Sequence, residues 1–117
     1  MIKKNGNFEK IIKKEMRGGK GEVIIEKLWN EETELKANNR LFAKLILTPG
    51  SSIGFHKHEH EEEVFVIIQG QAEMDDNGKV EILNPGDTIL TADGAGHSVK
   101  SIGDTNLEML AVISCYK

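Results

Sequence analysis

The chain has 117 residues, a formal net charge of -4 and a single cysteine, Cys115. That length suits one domain with its own core, and one cysteine excludes an intrachain disulfide and points to a reducing compartment. No run approaches the ~18–20 apolar residues that cross a bilayer, and the opening MIKKNGNFEK lacks the apolar stretch of a signal peptide. A cytoplasmic protein without a membrane partner is expected.

Charge is unevenly placed. Residues 1–20 carry Lys3, Lys4, Lys10, Lys13, Lys14, Arg17 and Lys20 against Glu9 and Glu15. A basic arm of this kind can touch a phosphate backbone, but Phe8 is its only aromatic and no recognition motif stands behind it. Nucleic acid is not an expected partner. Residues 1–20 read instead as a leader, either solvated or a short amphipathic helix with Phe8, Ile11, Ile12 and Met16 on one face. The run Gly18-Gly19-Lys20-Gly21 separates it from a domain over 21–117.

Along that domain the pattern predicts short strands. Residues 22–28 (EVIIEKL) form the first, and Asn30 is placed to cap a helical turn over 31–35. Strands follow over 41–47, ended by Pro49-Gly50, and over 53–58. The strongest strand signal is 63–68, which Gly70 breaks before 71–74. Asp75-Asp76-Asn77-Gly78 is a hairpin turn, because Asn-Gly accepts two positive φ values. Residues 80–83 return, Asn84-Pro85-Gly86-Asp87 turns again, and 88–90, 97–101 and 107–114 complete the set. Short strands punctuated by Gly, Pro and Asn, with no crossover helix between them, predict an all-β sandwich or barrel.

Three of the four histidines fall in Gly54-Phe55-His56-Lys57-His58-Glu59-His60. On a strand, His56 and His58 share one face and Lys57 takes the other. Glu63 opens the next strand, and His97 follows the loop Asp93-Gly94-Ala95-Gly96. Three imidazoles and one carboxylate suit a divalent Mn, Fe, Co, Ni or Zn ion and leave room for water or a ligand. The His-x-His pair alone is weak, since ordinary strand positions carry it as often. His60 and Glu62 compete for the same role. His60 continues the alternation but belongs to an acidic connection, and Glu62 should oppose Glu63; either is also a candidate rim group or proton carrier.

Other chemistry is poorly supported. There is no Gly-x-Ser-x-Gly elbow, no phosphate loop ending in lysine and serine, and no histidine near Cys115 in sequence. Phe42, Phe65, Met74 and Met109 are core or cavity lining. Arg40, the one arginine outside the leader, reads as an exposed strand start. Tyr116 and Lys117 read as frayed or at a subunit edge.

The spacing Gly50, five residues, His56, one, His58, four, Glu63, six, Gly70 resembles the first motif of the cupin superfamily. The second motif is recognisable from Gly86 through Gly94 to His97, with Ala92 in a position usually held by proline and Ser101 in one usually held by asparagine. The resemblance covers roughly residues 40–113, most of the domain. It implies a double-stranded β-helix, or jelly-roll barrel, with His56, His58, Glu63 and His97 holding one divalent metal inside the mouth. The chain looks most like small single-domain cupins described as similar to mannose-6-phosphate isomerase. The family's chemistry includes isomerases, decarboxylases, dioxygenases and epimerases, so the fold does not choose a reaction. Three readings stand: a metal-dependent enzyme acting on a small oxygen-bearing molecule such as a sugar or organic acid, a non-catalytic module binding a small ligand, and a structural barrel whose metal merely stiffens the mouth. A homodimer is expected, because the apolar strand over 22–28, followed by Trp29, needs a sheet edge to pair with.

Overall fold

The computed structural model describes residues 1–116. Its strands are β1 (Glu9–Lys14), β2 (Glu22–Lys27), β3 (Asn39–Leu47), β4 (Ser52–Lys57), β5 (Glu61–Gln69), β6 (Ala72–Asp76), β7 (Lys79–Leu83), β8 (Thr88–Thr91), β9 (Gly96–Ser101) and β10 (Leu107–Cys115). They form a six-stranded sheet, β1-β2-β3-β10-β5-β8, and a four-stranded sheet, β4-β9-β6-β7. Every pairing is antiparallel. The architecture is thus an all-β sandwich of two open sheets. Among the described residues no helix is long and apolar enough to cross a membrane.

Period-two alternation builds the core. On β5 the buried residues are Glu61, Glu63, Phe65 and Ile67, and on β10 they are Leu107, Met109, Ala111 and Ile113. Leu45 and Leu47 join them from β3, while Ile53, Ala72, Met74 and Val99 face them from the smaller sheet. Phe65, Met74 and Met109 are therefore core, whereas Phe42 precedes the inward Ala43 and takes the outer face.

The turns form for the reasons the sequence gives. Asn77 and Gly78 both hold positive φ (51° and 102°) between Asp76 and its partner Lys79, and Gly78 N–H donates to Asp75 Oδ1 at 2.7 Å. Asn30 Oδ1 accepts from the amides of Glu32 (2.8 Å) and Thr33 (3.1 Å), closing a turn that does not grow into a helix. Gly70 has φ 81°, and a Cβ there would meet the Asn106 carbonyl oxygen at 2.6 Å.

The leader is where the expectation fails. Glu9–Lys14 is neither solvated coil nor helix but strand β1, in register with β2 from Glu9↔Lys27 to Lys14↔Glu22. A helix of a turn or two is marginal in water, whereas β2 offers an open edge with a full ladder of hydrogen bonds. Ile11 packs against the core and Ile12 is left outside, 60 % exposed. The pairing also removes the original reason for a dimer: β2 is satisfied on both sides, by β1 and by β3 of its own chain.

Candidate metal centre

The cluster is assembled across the two sheets. His56 on β4 lies directly opposite His97 on β9. The register between them slips by one residue, from Ile53↔Val99 to His56↔His97. Without that bulge the alternation that buries Ile53 would turn His56 outward; with it, Phe55 is the residue that faces solvent, 48 % exposed. His58 follows just past β4 and is held by its backbone, which donates to Ala95 O at 3.0 Å and accepts from Gly94 N–H at 2.7 Å. Glu63 comes from β5 of the other sheet, facing them.

Four atoms converge. His97 Nε2 lies 3.1 Å from His56 Nε2, 3.2 Å from His58 Nε2 and 3.1 Å from Glu63 Oε1, and His58 Nε2 lies 3.0 Å from the same oxygen. One ligand atom from each residue falls within 4.8 Å of all the others. His58, Glu63 and His97 are 2 %, 4 % and 1 % exposed.

The outer nitrogens fix the tautomers. His56 Nδ1–H donates to the Gly54 carbonyl oxygen (2.8 Å), and His58 Nδ1–H donates to Glu61 Oε2 (2.5 Å). His97 Nδ1 lies 2.7 Å from Thr91 Oγ1, where the same tautomer makes it the donor. The hydrogen bond at one ring nitrogen decides the state of the other, so each Nε2 presents a lone pair to the centre. Three lone pairs and a carboxylate oxygen crowded within van der Waals distance repel one another unless a cation lies between them. Two donors at right angles, each ~2.1 Å from one ion, stand ~3.0 Å apart, which matches the observed spacing. The residues present fit a divalent transition-metal ion.

The metal-free electrostatics tell the same story. Hydrogen bonding to Glu63, and then to Glu61, raises the His58 pKa against the opposing effect of burial. Burial would raise Glu63, but hydrogen bonds from His58 and His97 outweigh it and hold the carboxyl below its ordinary value. His56 is lowered, chiefly by burial, with the charges of His97, His58 and Arg17 adding to it. Arg40 pins Glu61 most firmly, donating from Nε and Nη2 to its two oxygens at 2.8 Å each, and with His58 brings its pKa to about 2.

All four expected ligands therefore meet, and neither competitor joins them. His60 is exposed, has φ 61°, and donates its backbone N–H to Asp93 Oδ1 at 2.6 Å. Glu62 turns outward and accepts from the Tyr116 hydroxyl at 2.8 Å. Tyr116 is thus tied down rather than frayed; Lys117 lies outside the described residues. The residues that sequence reasoning missed are Glu61, Thr91 and Arg40. Counting back by two from Glu63 puts Glu61 on the same face, provided β5 starts early. Nothing in the sequence marks Thr91, which sits opposite Glu63 across the β5–β8 ladder.

His56, His58 and Glu63 line a cavity of about 550 Å³ between the sheets, with apolar walls that include Leu41, Leu45, Ile53 and Ile113. Residues 43–113 match the family model of the cupin domain. The chain belongs to the cupin family. This cupin is 47 % identical over 98 residues to the oxalate-binding protein of Thermotoga maritima, covering 84 % of this chain and 80 % of that one. It superposes on the crystal structure of a predicted oxalate decarboxylase from Thermotoga maritima with a TM-score of 0.92 and 41 % identity, over 98 % of this chain and 99 % of that chain. It is also 29 % identical over 87 residues to the mannose-1-phosphate guanylyltransferase ManC of Salmonella typhimurium, a match to 74 % of this cupin but 18 % of that protein.

Replacing Glu61 with glutamine leaves its size and removes the charge that orients His58. Metal affinity is expected to fall by ~10–100-fold while the chain stays folded. A chelator competition titration reads this, and an affinity equal to that of the parent protein would contradict the role given to Glu61.

Proposed function

We propose that this cupin holds one divalent transition-metal ion on Nε2 of His56, His58 and His97 and on Glu63 Oε1, and uses it to bind and act on a small organic acid of the oxalate class. One observation carries the reading: four donor atoms converge, and three of the residues that carry them, His56, His58 and Glu63, line a cavity of about 550 Å³. The name of the 47 % identical relative supports the choice of acid over sugar. Bound there, a divalent ion would supply a Lewis acid for the oxygens of a carboxylate.

The rest is done by the chain's own groups. Thr91, Glu61 and the Gly54 carbonyl hold the imidazoles in one orientation, so the donor set needs no rearrangement to take the ion. Phe65 stacks on His97 with ring centroids 4.9 Å apart and closes the floor. The apolar part of the lining, Leu41, Leu45, Ile53 and Ile113, reduces the water around a bound acid and so strengthens its polar contacts. A second reading, a binding module without turnover, is favoured by the engagement of Glu61 with Arg40, which removes the nearest additional carboxylate as a proton carrier.

The same proposal takes the two sheets as the halves of a double-stranded β-helix and places the protein in the cytoplasm, in keeping with its lone thiol. It also retains a homodimer, for a new reason. The outer face of the six-stranded sheet is apolar too: Val64 pairs with Val112 and Leu90, Val66 pairs with Leu110, and Ile68 is 50 % exposed. At its centre Lys44 is held between Glu108 (2.9 Å) and Glu26 (3.8 Å), so the charge there is already compensated. A sheet apolar on both faces is ordinarily covered on both. A second copy supplies the same face under two-fold symmetry.

Calorimetric titration with oxalate tests the function. Saturable binding is expected when the ion is loaded and none after chelation, with release of formate and CO₂ separating turnover from binding. Binding that survives metal removal would contradict the proposal. Sedimentation tests the assembly: the parent chain should run at the mass of two chains at micromolar concentration, and Val66→Glu at the mass of one. A single-chain mass for the parent would rule the dimer out.

A further inference from the structure

The basic leader ends at the metal cavity. Lys13 shares the inner side of β1 with Ile11, beside the buried Val23, and lines the cavity. After β1 the chain turns through Glu15 and Arg17, both left-handed (φ 49° and 54°), around the 3₁₀ turn Met16–Gly18. Neither residue favours that conformation, so the surroundings must impose it. Two glycines let them do so. A Cβ on Gly54 would lie 2.0 Å from the Arg17 carbonyl oxygen, and one on Gly19 would lie 2.1 Å from the Ser52 carbonyl oxygen. Lys20 N–H donates to Ser52 Oγ (2.9 Å) and Ser52 N–H to Lys20 O (2.8 Å), which clamps the turn to β4 beside His56.

The clamped turn sets a cation at the mouth. Lys13, Lys14, Arg17, Lys27 and Arg40 all line the cavity. Lys14 pairs with Glu22 (3.9 Å), Lys27 with Glu31 (3.0 Å) and Arg40 with Glu61 (2.8 Å). Among the described residues, Lys13 and Arg17 form no ion pair.

We infer that Lys13 and Arg17 are specificity-determining residues that receive a second negative group of the ligand, so that the cavity selects dicarboxylates over monocarboxylates. The inference rests on the reading of this cavity as an organic-acid site. One carboxylate satisfies the ion; a monocarboxylate then leaves both cations unmatched, whereas a dicarboxylate gives the planar guanidinium a two-oxygen partner and the ammonium a nearby charge. The clamped backbone at Arg17 fixes the root of its side chain at the mouth, so only the side chain itself has to be ordered when a ligand binds.

The test is calorimetric titration of metal-loaded protein with oxalate, malonate and acetate, with metal content measured alongside. Arg17→Asn removes the charge while suiting a left-handed backbone, and Lys13→Gln provides a second variant on a different element. Each is expected to weaken dicarboxylate binding by about ten-fold and acetate binding by less than about two-fold, with metal content unchanged. Arg17→Lys should recover part of the loss. Dicarboxylate preference equal to the parent's in both Arg17→Asn and Lys13→Gln overturns the inference and leaves the organic-acid reading intact. Failure of the metal-loaded parent to bind any of the three acids defeats the organic-acid reading itself, and this inference falls with it.

Discussion

Three imidazole nitrogens and a carboxylate oxygen, each about 3 Å from its neighbours, occupy the space between two sheets, and that arrangement is stable only around positive charge. Much of the chain serves to force these atoms together. His56 and His97 come from the four-stranded sheet, His58 from the connection just past β4, and Glu63 from the six-stranded sheet, so an ion bound there would join the layers as well as serve chemistry. Folding and metal binding are therefore coupled: the donors must be brought in deprotonated, and the free energy of coordination adds to that of the native state. The His58 pKa is raised, first by the hydrogen bond to Glu63, so the carboxylate favours positive charge at this point of the site.

Small backbone devices place the donors. The bulge in β4 changes which side chains face inward, burying Ile53 before it and aiming His56 and His58 into the cavity after it. Gly54 sits in that bulge and also admits the Arg17 carbonyl, so one missing side chain serves both the metal ligands and the leader that seals against them. On the opposite sheet, β5 extends its inward alternation from Ile67 and Phe65 through Glu63 to Glu61, converting a core-forming pattern into a row of acids at the mouth.

The positions of strands β2 to β10 were legible because each apolar run is short and bounded by Gly, Pro or Asn, and the residues of the cluster were legible because His56, His58 and Glu63 stand at a specific spacing from Gly50 and Gly70, as His97 does from Gly86 and Gly94. The leader was misread for a physical reason: Ile11, Ile12 and Met16 satisfy a helical spacing as well as a strand's, and only the open edge of β2 decides between them. Glu61 was hidden by the uncertain start of β5, and Arg40 by its exposed position, 49 % for the side chain, even though its fork closes on Glu61. Thr91 has no sequence signature, since its role exists only when β8 lies beside β5. Closure of the two sheets into a barrel was likewise read from the family resemblance; the residues themselves specify strands and turns, and the described strands form two open layers.

The central claim is that this donor cluster is a metal site, and elemental analysis of protein purified without an affinity tag tests it most directly. The account predicts about one divalent first-row transition-metal ion per folded chain, retained through gel filtration. Folded protein that carries no such ion, and takes up none when Mn, Fe, Co, Ni and Zn are each supplied, would contradict it.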